Sequence, residues 1–529
     1  MCGIFSYKGR TYTWPELQEA VNLIGYRGPD NTHYNTIADD VLFAFHRLAI
    51  MGTTESGDQP MKHPQDKSLT LICNGEIYNY KNLAERYDFN LTTGSDCEII
   101  LYLYQKFGIE RTIKDLDGVF MFVLHDASSD QLFASRDPIG VRPGFIGTKE
   151  DELFIASEAK PLVQLCETVL PFPPGTWWCS DRPKIFKNYF TYNSPIIREK
   201  DEDAICKQIR ILLTNAVKKR LMAEREIGCL LSGGLDSSLI TSLVSRYNNG
   251  QKLNTFSIGM PGSVDLDYAQ IVADFLGTKH HQIQISEKDF LDAIETVIYN
   301  IESYDTTTVR ASVGNYLVSK FIAENSNCKV IFNGDGADEV CCGYVYLKNA
   351  PSSEALQKES EKLVKEIYYY DVLRSDRSIS SNGLEARTPF LDKAFVKYYL
   401  SIPAELKIFD GKNRLEKYLL RKAFDNQVIL PDKVLWRRKC AFSDGVSAKK
   451  KSWHHIIQAY VDKKISNDEF QQESKKISHC TPVLKESYYY RKVFDSYFGK
   501  NEKLIPHFWM PKWTDVIDPS ARELQDYRE

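Results

Sequence analysis

Leu230-Leu231-Ser232-Gly233-Gly234-Leu235-Asp236-Ser237-Ser238 follows the apolar run Ile227 to Leu231 and leads into an amphipathic pattern over residues 237–247. A strand, a tight Gly-rich turn and a helix start, in that order, make an anion site. Glycines let backbone N–H groups close on phosphate oxygens, and the helix N-terminus adds partial positive charge. Ser232, Ser237 and Ser238 add hydroxyl donors. The lysine of a Walker A loop is missing, which excludes the ordinary site for cleaving a γ-phosphate. The bland alternative is a Gly-rich turn with Asp236 as a helix cap.

The same change of period recurs downstream. A strand-like run at 253–258 precedes a helical pattern at 267–276, and 329–332 follows a helical pattern at 313–325. Such alternation predicts a mainly parallel, doubly wound α/β sheet, whose ligands sit beyond the carboxyl ends of the strands. Val330-Ile331-Phe332 ends in a second acidic loop, Asn333-Gly334-Asp335-Gly336-Ala337-Asp338-Glu339. Asp236 and Asp338 can then share Mg²⁺, an ion commonly held by one or two carboxylates plus phosphate oxygens. A calcium-type turn is the weaker reading, because the bidentate Glu at EF-hand spacing is absent. Residues 355–529 are mostly helical in pattern, and Tyr368-Tyr369-Tyr370 and Tyr488-Tyr489-Tyr490 read as packing surfaces.

Upstream, residues 1–190 have a different texture. Short strand-like runs at 41–49, 68–73, 119–125, 131–135 and 153–157 are separated by polar or Gly/Pro turns, and helical patterns cover 14–24 and 96–107. Turn formers around Pro171-Phe172-Pro173-Pro174-Gly175 and charges through Tyr192 to Arg198 read as a domain junction. The expected domains are 1–190, α+β, and 203–529, α/β with a helical C-terminal part. A chain of 529 residues is long enough for both.

Composition narrows the function classes. Hydrophobic content of 43% with 26% charge excludes global disorder, and no apolar run is long enough for a bilayer. A net charge of −4 gives no global field for gripping nucleic acid, and the local run Lys449-Lys450-Lys451 reads as a solvated loop. With no secretory leader pattern at Met1-Cys2-Gly3-Ile4, the default compartment is the cytoplasm. The twelve cysteines show no CxxC zinc spacing and read as mostly buried, reduced thiols.

Cys2 becomes the first residue once Met1 is removed. An N-terminal Cys carries both thiol and base, since its α-amine has a reference pKa near ~8 and accepts the thiol proton at neutral pH. Alone, a Cys at position two is incidental. Asn74-Gly75-Glu76-Ile77-Tyr78-Asn79, placed after an apolar strand, supplies partners. The Asn74 side-chain amide and the Gly75 N–H can form an oxyanion hole, each donor contributing on the order of a few kcal/mol to the transition state. If the substrate is glutamine, Arg47 can pair with its α-carboxylate, and Asp96 and Glu76 with its α-ammonium.

Met1-Cys2-Gly3-Ile4, Tyr26-Arg27-Gly28-Pro29-Asp30, His46-Arg47-Leu48-Ala49-Ile50, Asn74-Gly75-Glu76-Ile77-Tyr78-Asn79 and Gly94-Ser95-Asp96 resemble the class II glutamine amidotransferases. The Ser232–Ser238 loop resembles the pyrophosphate loop of ATP pyrophosphatases. Together they narrow the resemblance to the glutamine-hydrolysing asparagine synthetases. Tyr304-Asp305-Thr306-Thr307-Thr308, Gly383-Leu384-Glu385-Ala386-Arg387-Thr388-Pro389, Phe442-Ser443-Asp444-Gly445, Trp509-Met510-Pro511-Lys512-Trp513 and Asp518-Pro519-Ser520-Ala521-Arg522 extend it over nearly the whole chain.

The resemblance implies an N-terminal Ntn-hydrolase αββα sandwich, followed by an ATP-pyrophosphatase domain, and a two-site reaction. Cys2 forms a glutamyl thioester and releases ammonia; ATP activates aspartate as β-aspartyl-AMP; ammonia displaces AMP. Free ammonia would protonate and diffuse away in bulk water, so a shielded path is expected. Glutamine contacts are implied for Arg47, Leu48, Ala49, Ile50, Met51, Asn74, Gly75, Glu76 and Asp96. ATP contacts are implied for Leu231, Ser232, Gly233, Gly234, Asp236, Ser237, Ser238, Ile258, Asn333 and Gly334. Lys439 would face the departing pyrophosphate, and a homodimer is one assembly open to the chain. The family usually has Ser-Gly-Glu-Gly where this chain has Asn333-Gly334-Asp335-Gly336. In the family that carboxylate is associated with forming the adenylate and with deprotonating incoming ammonia; Asp335 is one methylene shorter, which slows the synthetase unless the backbone moves to compensate. Competing readings are another acyl-adenylating amide synthetase, such as a β-lactam-forming one, and a glutaminase or regulatory protein with an impaired synthetase half.

Overall fold

The computed structural model describes residues 1–192, 195–248, 250–439, 445–447 and 452–520. Residues 442–444 and 521–522 of the motifs quoted above, and the run Lys449-Lys450-Lys451, lie outside them. The chain divides into two compact units: Met1–Thr191 with Met222–Glu226 and Ser380–Glu385, and Tyr192–Leu221, Ile227–Ile379 and Ala386–Glu529.

In the first unit the strands run β1 (Gly3–Lys8), β2 (Asn31–Ala38), β3 (Val41–Arg47), β4 (Met61–Lys62), β5 (Leu69–Ile77), β6 (Gly118–Asp126), β7 (Gln131–Arg136), β8 (Phe145–Lys149), β9 (Glu152–Ala156), β10 (Thr168–Pro171), β11 (Thr176–Cys179) and β12 (Phe186–Asn188). They form two six-stranded sheets, ordered β10-β8-β9-β1-β3-β2 and β12-β11-β7-β6-β5-β4, with antiparallel pairing throughout the registers. Period-two alternation sorts the side chains of each strand between two layers. Ile4, Val41, Phe43 and Phe45 of one sheet meet Ile72, Met121, Val123 and Ala134 of the other. On the far side of the second sheet Leu71, Cys73, Ile77, Phe120 and Phe122 pack with Leu83 and with Ile100 and Leu103, from helices Tyr80–Tyr87 and Ile99–Asp115. Helix Trp14–Asn22 reaches the outer face of the first sheet, where His46 Nε2 lies 3.1 Å from Val21 O. The result is the αββα sandwich.

Two expectations change here. Asn74, Gly75 and Glu76 do not follow the strand; they lie inside β5, which runs on to Ile77 because β6 pairs with it over its full length. The turn at Pro171–Gly175 is not a junction. It joins β10 to β11 within the first unit, and Tyr189 N–H donates to Gly175 O at 2.9 Å.

The second unit is built on a sheet ordered β15-β14-β13-β16-β17, from β13 (Glu226–Leu230), β14 (Asn254–Gly259), β15 (Lys279–Gln284), β16 (Cys328–Phe332) and β17 (Glu385–Arg387). β13, β14 and β15 are parallel, with helices Leu235–Tyr247 and Val264–Leu276 between them. The chain winds outward from β13 to β15, then crosses through helix Thr306–Asn325 to β16 on the other side. The reversal between β13 and β16 is the switch point at which such sheets open a crevice. C-terminal to β17 the described residues form helices joined by irregular segments, with no further strand among them, and Tyr488, Tyr489 and Tyr490 are buried on helix Lys485–Phe498. Among the described residues no helix is long and apolar enough to cross a membrane.

Candidate active sites

In the first unit one cavity is lined by Cys2, Arg47, Leu48, Ile50, Met51, Asn74, Gly75, Glu76 and Asp96, so every residue singled out for glutamine except Ala49 meets there. Ala49 instead gives its N–H to Asp30 Oδ2 at 2.8 Å, which fixes the bend after β3. Cys2 N–H donates to Asn74 Oδ1 at 3.0 Å, and Cys2 Sγ lies 3.7 Å from Leu48 O. Arg27 Nε donates to Cys2 O at 3.0 Å while Nη1 holds Glu158 Oε1 at 2.5 Å, so the Cys2 main chain is tied from both sides. Asn74 Nδ2 is out of solvent with no hydrogen-bond partner among the described residues. A buried donor in that state costs on the order of 1–3 kcal/mol, recovered when an acceptor arrives.

Arg47 is already engaged: Nη1 bonds Thr54 O at 2.8 Å and Asp58 Oδ1 at 2.5 Å. With Met1 in place, burial pushes the Cys2 thiol up to about 11, and burial lowers the Met1 amino group to about 6. A thiol in that state is a poor nucleophile, which is why the unmasked α-amine matters.

In the second unit a cavity of about 230 Å³ opens at the switch point. Leu231, Ser232, Gly234, Asp236, Ser237, Ile258, Asn333, Gly334, Asp335, Asp338 and Lys439 line it; Gly233 and Ser238 do not. Ser238 is fully buried on helix Leu235–Tyr247, and Gly233 offers its C=O to Arg437 Nη1 at 3.0 Å. The loop is held by its own hydroxyls, Ser232 Oγ and Ser237 Oγ lying 3.0 Å apart, and no side chain caps the 13-residue helix that follows. Its first N–H groups are therefore left for an anion. The two acidic loops touch: a Cβ on Gly334 would come within 2.7 Å of Ser237 N, so only glycine allows this approach.

Lys417, which no motif marked, sits between the loops. Its Nζ contacts Asp236 Oδ2 and lies 2.5 Å from Asp338 Oδ1, while Lys439 Nζ contacts Asp338 Oδ2. Burial alone would raise Asp338, yet the two lysines hold it far below the usual carboxylate range. Asp236 Oδ1 is buried without a partner among the described residues. Lys417 already places one positive charge between the two carboxylates, so a divalent ion completed by phosphate oxygens would have to enter at the unclaimed Asp236 Oδ1 or displace that ammonium. Among the described residues no set of three or more His, Cys, Asp or Glu is arranged to hold a metal.

Deeper in the cavity Asp335 Oδ1 accepts from Arg374 Nη2 at 3.0 Å, the nitrogen that also donates to Asp371 Oδ1 at 2.6 Å. Asp335 Oδ2 is out of solvent and has no partner among the described residues. Tyr344 OH bridges Glu339 Oε1 and Asp371 Oδ2, the latter at 3.1 Å; burial, with Asp371 beside it, pushes Glu339 well above its ordinary range. Arg310 reaches the wall as a fork, with Nη1 on Asp518 Oδ1 at 2.7 Å and Nη2 on Glu486 Oε2 at 2.6 Å.

Comparison with known families fits both sites. The family described as "Glutamine amidotransferase domain" matches residues 1–173, and "Asparagine synthase" matches 208–359 and 347–517. Proteins named asparagine synthetase [glutamine-hydrolyzing] from Gallus gallus, Mus musculus and Homo sapiens are each 42% identical to this chain over 559 aligned positions, covering 100% of it and 99% of the relative. At 42% identity over the full length of both chains, with both family models matched, this chain belongs to the glutamine-hydrolysing asparagine synthetase family.

Proposed function

We propose that this chain makes asparagine from aspartate, with ATP as the energy source and glutamine as the nitrogen donor. The observation that carries the first half is the unpartnered, buried Asn74 Nδ2 beside Cys2. With Met1 removed, the Cys2 amine takes the thiol proton and the sulfur attacks the glutamine carboxamide carbon. Asn74 Nδ2 and the Gly75 N–H receive the oxyanion, and the amine returns the proton to the departing ammonia. Water then cleaves the thioester to glutamate.

In the second unit the bare helix start and the Ser232–Ser237 turn receive the ATP phosphates, and Leu231 and Ile258 supply the apolar wall for the base. Mg²⁺, when bound, would be held by Asp236 and Asp338 and would neutralise phosphate charge. The aspartate side-chain carboxylate attacks the α-phosphorus; Lys439 faces the pyrophosphate that leaves. Asp335 Oδ2 accepts a proton-bearing nitrogen as ammonia attacks the β-aspartyl carbon and AMP departs. A cytoplasmic setting and a homodimer belong to the same proposal, and are read by the location of a tagged chain and by light scattering.

The test is to incubate pure protein with ATP, Mg²⁺, aspartate and either glutamine or ammonium, and to measure asparagine and pyrophosphate. Cys2→Ala should abolish glutamine use and spare ammonium use. No asparagine from either nitrogen source would sink the proposal, and equal loss of both activities in Cys2→Ala would sink the division of labour.

A further inference from the structure

On one side β5 is paired with β6 along its whole length, from Leu69↔Asp126 to Ile77↔Gly118; on the other, β4 meets only Leu71 and Thr70. From Cys73 onward that flank has no strand beside it among the described residues. Which main-chain groups face it follows from Phe120. Its N–H goes to Asp137 Oδ2 at 3.3 Å and its C=O accepts the Asp137 N–H at 2.8 Å, both on the side away from β5. Gly75, its register partner, is therefore a non-hydrogen-bonded pair that turns N–H and C=O to the open flank, as do Cys73 and Ile77 two places either way.

Side chains stand in for the missing strand. Gln59 Oε1 accepts the Cys73 N–H at 2.6 Å and Gln59 Nε2 donates to Cys73 O at 3.1 Å, so one amide pairs with both groups as a peptide would. Asp96 Oδ2 accepts the Ile77 N–H at 2.5 Å, and Cys97 Sγ donates to Gly75 O at 3.6 Å. The Gly75 N–H, between these clamps, is left on the wall of the Cys2 cavity. Residue 75 has to be glycine for the strand to lie this close to β6, since a Cβ would come within 2.5 Å of Val119 O. Gln59 is buried and shares that cavity wall, and its neighbour Asp58 holds Arg47 at 2.5 Å.

We propose that Gln59 is a positioning residue for glutamine hydrolysis: its amide pins the Cys73 main chain and so aims the adjoining Asn74 and Gly75 donors at the oxyanion. This rests on the glutaminase reading above. Gln59 touches no reacting atom. It acts through the strand, and a slack of about 1 Å in such donors costs on the order of 10²-fold in rate. Only a side chain with donor and acceptor at one end suits the role, so Met, of similar length, loses both bonds. Glu supplies both only while protonated.

The experiment compares parent, Cys2→Ala, Gln59→Met and Gln59→Glu in glutamine hydrolysis and in asparagine formation from glutamine and from ammonium. For Gln59→Met the expected result is a kcat for glutamine hydrolysis lower by roughly 30- to 100-fold, with KM for glutamine within about twofold and the ammonium-dependent rate unchanged. For Gln59→Glu the hydrolysis rate, divided by that of the parent at each pH, should fall as the introduced carboxyl ionises. A general loss of packing would move KM and would give no such pH signature. The proposal is overturned if Gln59→Met keeps kcat within twofold of the parent, if only KM changes, or if the Gln59→Glu ratio is flat with pH. Cys2→Ala separates the two claims: if it still uses glutamine, the glutaminase reading itself has failed, whereas normal loss there with an active Gln59→Met defeats the positioning role alone.

Discussion

Asp335 is where substitution is most informative, because one of its carboxylate oxygens is committed and the other is not. Oδ1 accepts from Arg374 at 3.0 Å, while Oδ2 is out of solvent, on the cavity wall and unpartnered among the described residues. If Oδ2 receives an N–H of the incoming ammonia, Asp335→Asn removes a hydrogen bond to a charged acceptor, worth about 1.5–3 kcal/mol. At about 1.4 kcal/mol per factor of ten, amination should slow by roughly 10- to 150-fold. Adenylate formation precedes ammonia, so aspartate-dependent exchange of labelled pyrophosphate into ATP should fall by less than about threefold. Asp335→Glu tests the length. The present carboxylate already reaches Arg374, so an added methylene must be crowded in, at about 1–3 kcal/mol, or must break that pair. The ammonium-dependent rate should drop about tenfold. A faster Asp335→Glu enzyme, or an Asp335→Asn enzyme impaired equally in exchange and amination, would refute this reasoning.

Asn74→Asp keeps the acceptor for the Cys2 N–H and deletes the donor to the oxyanion, so kcat for glutamine hydrolysis should fall about 10²- to 10³-fold with ammonium-dependent synthesis intact, as steady-state assays of both reactions will read. Lys417→Met strips the cation from between Asp236 and Asp338; Lys439 still meets Asp338, so the loss falls mainly on half-buried Asp236 and should destabilise the second unit by about 1.5–3 kcal/mol. Thermal unfolding should show a drop of several degrees, partly reversed by millimolar Mg²⁺; an unshifted transition would mean that Lys417 is not their counter-charge. Burial alone would raise Asp392, but Arg220 and Lys219 outweigh it and bring it down to about 2. A lowered carboxyl stabilises above its unfolded value, near ~4, and loses that contribution as pH falls toward 2, so Asp392→Asn should cost about 2 kcal/mol between pH 5 and 8 and progressively less below pH 4. A gap that widens on acidification would show the wrong sign.

What could be read from the sequence was local. The switch of period at 227–247 marked β13, its turn and its helix, because an apolar run followed by glycines and an amphipathic stretch has few other solutions. The same signal found β16 and the second acidic loop. β2 went unseen since it is partly exposed on both faces and shows no alternation, and β11 was hidden behind the prolines before it. The extension of β5 over Asn74-Gly75-Glu76 contradicts strand propensity, and only pairing with β6 across the sheet makes it a strand. At the sites, Cys2, Asn74, Asp236 and Asp338 stood out through motif context. Lys417 meets Asp236 across 181 positions and Arg374 meets Asp335 across 39, distances over which no pattern in one chain points from one partner to the other. Gln59 is only 14 positions from Cys73, but nothing in a buried Gln before a proline announces a peptide mimic.

The open flank of β5 also bears on how the chain avoids its own copies. An unpaired strand edge is a template for another strand, and a run of free N–H and C=O groups there invites aggregation. Here the edge beyond β4 is closed piecemeal by Gln59, Cys97 and Asp96. Between the clamps at Cys73 and Ile77 the gap that remains is a single N–H wide, enough to receive one oxygen atom and too narrow to recruit a foreign backbone.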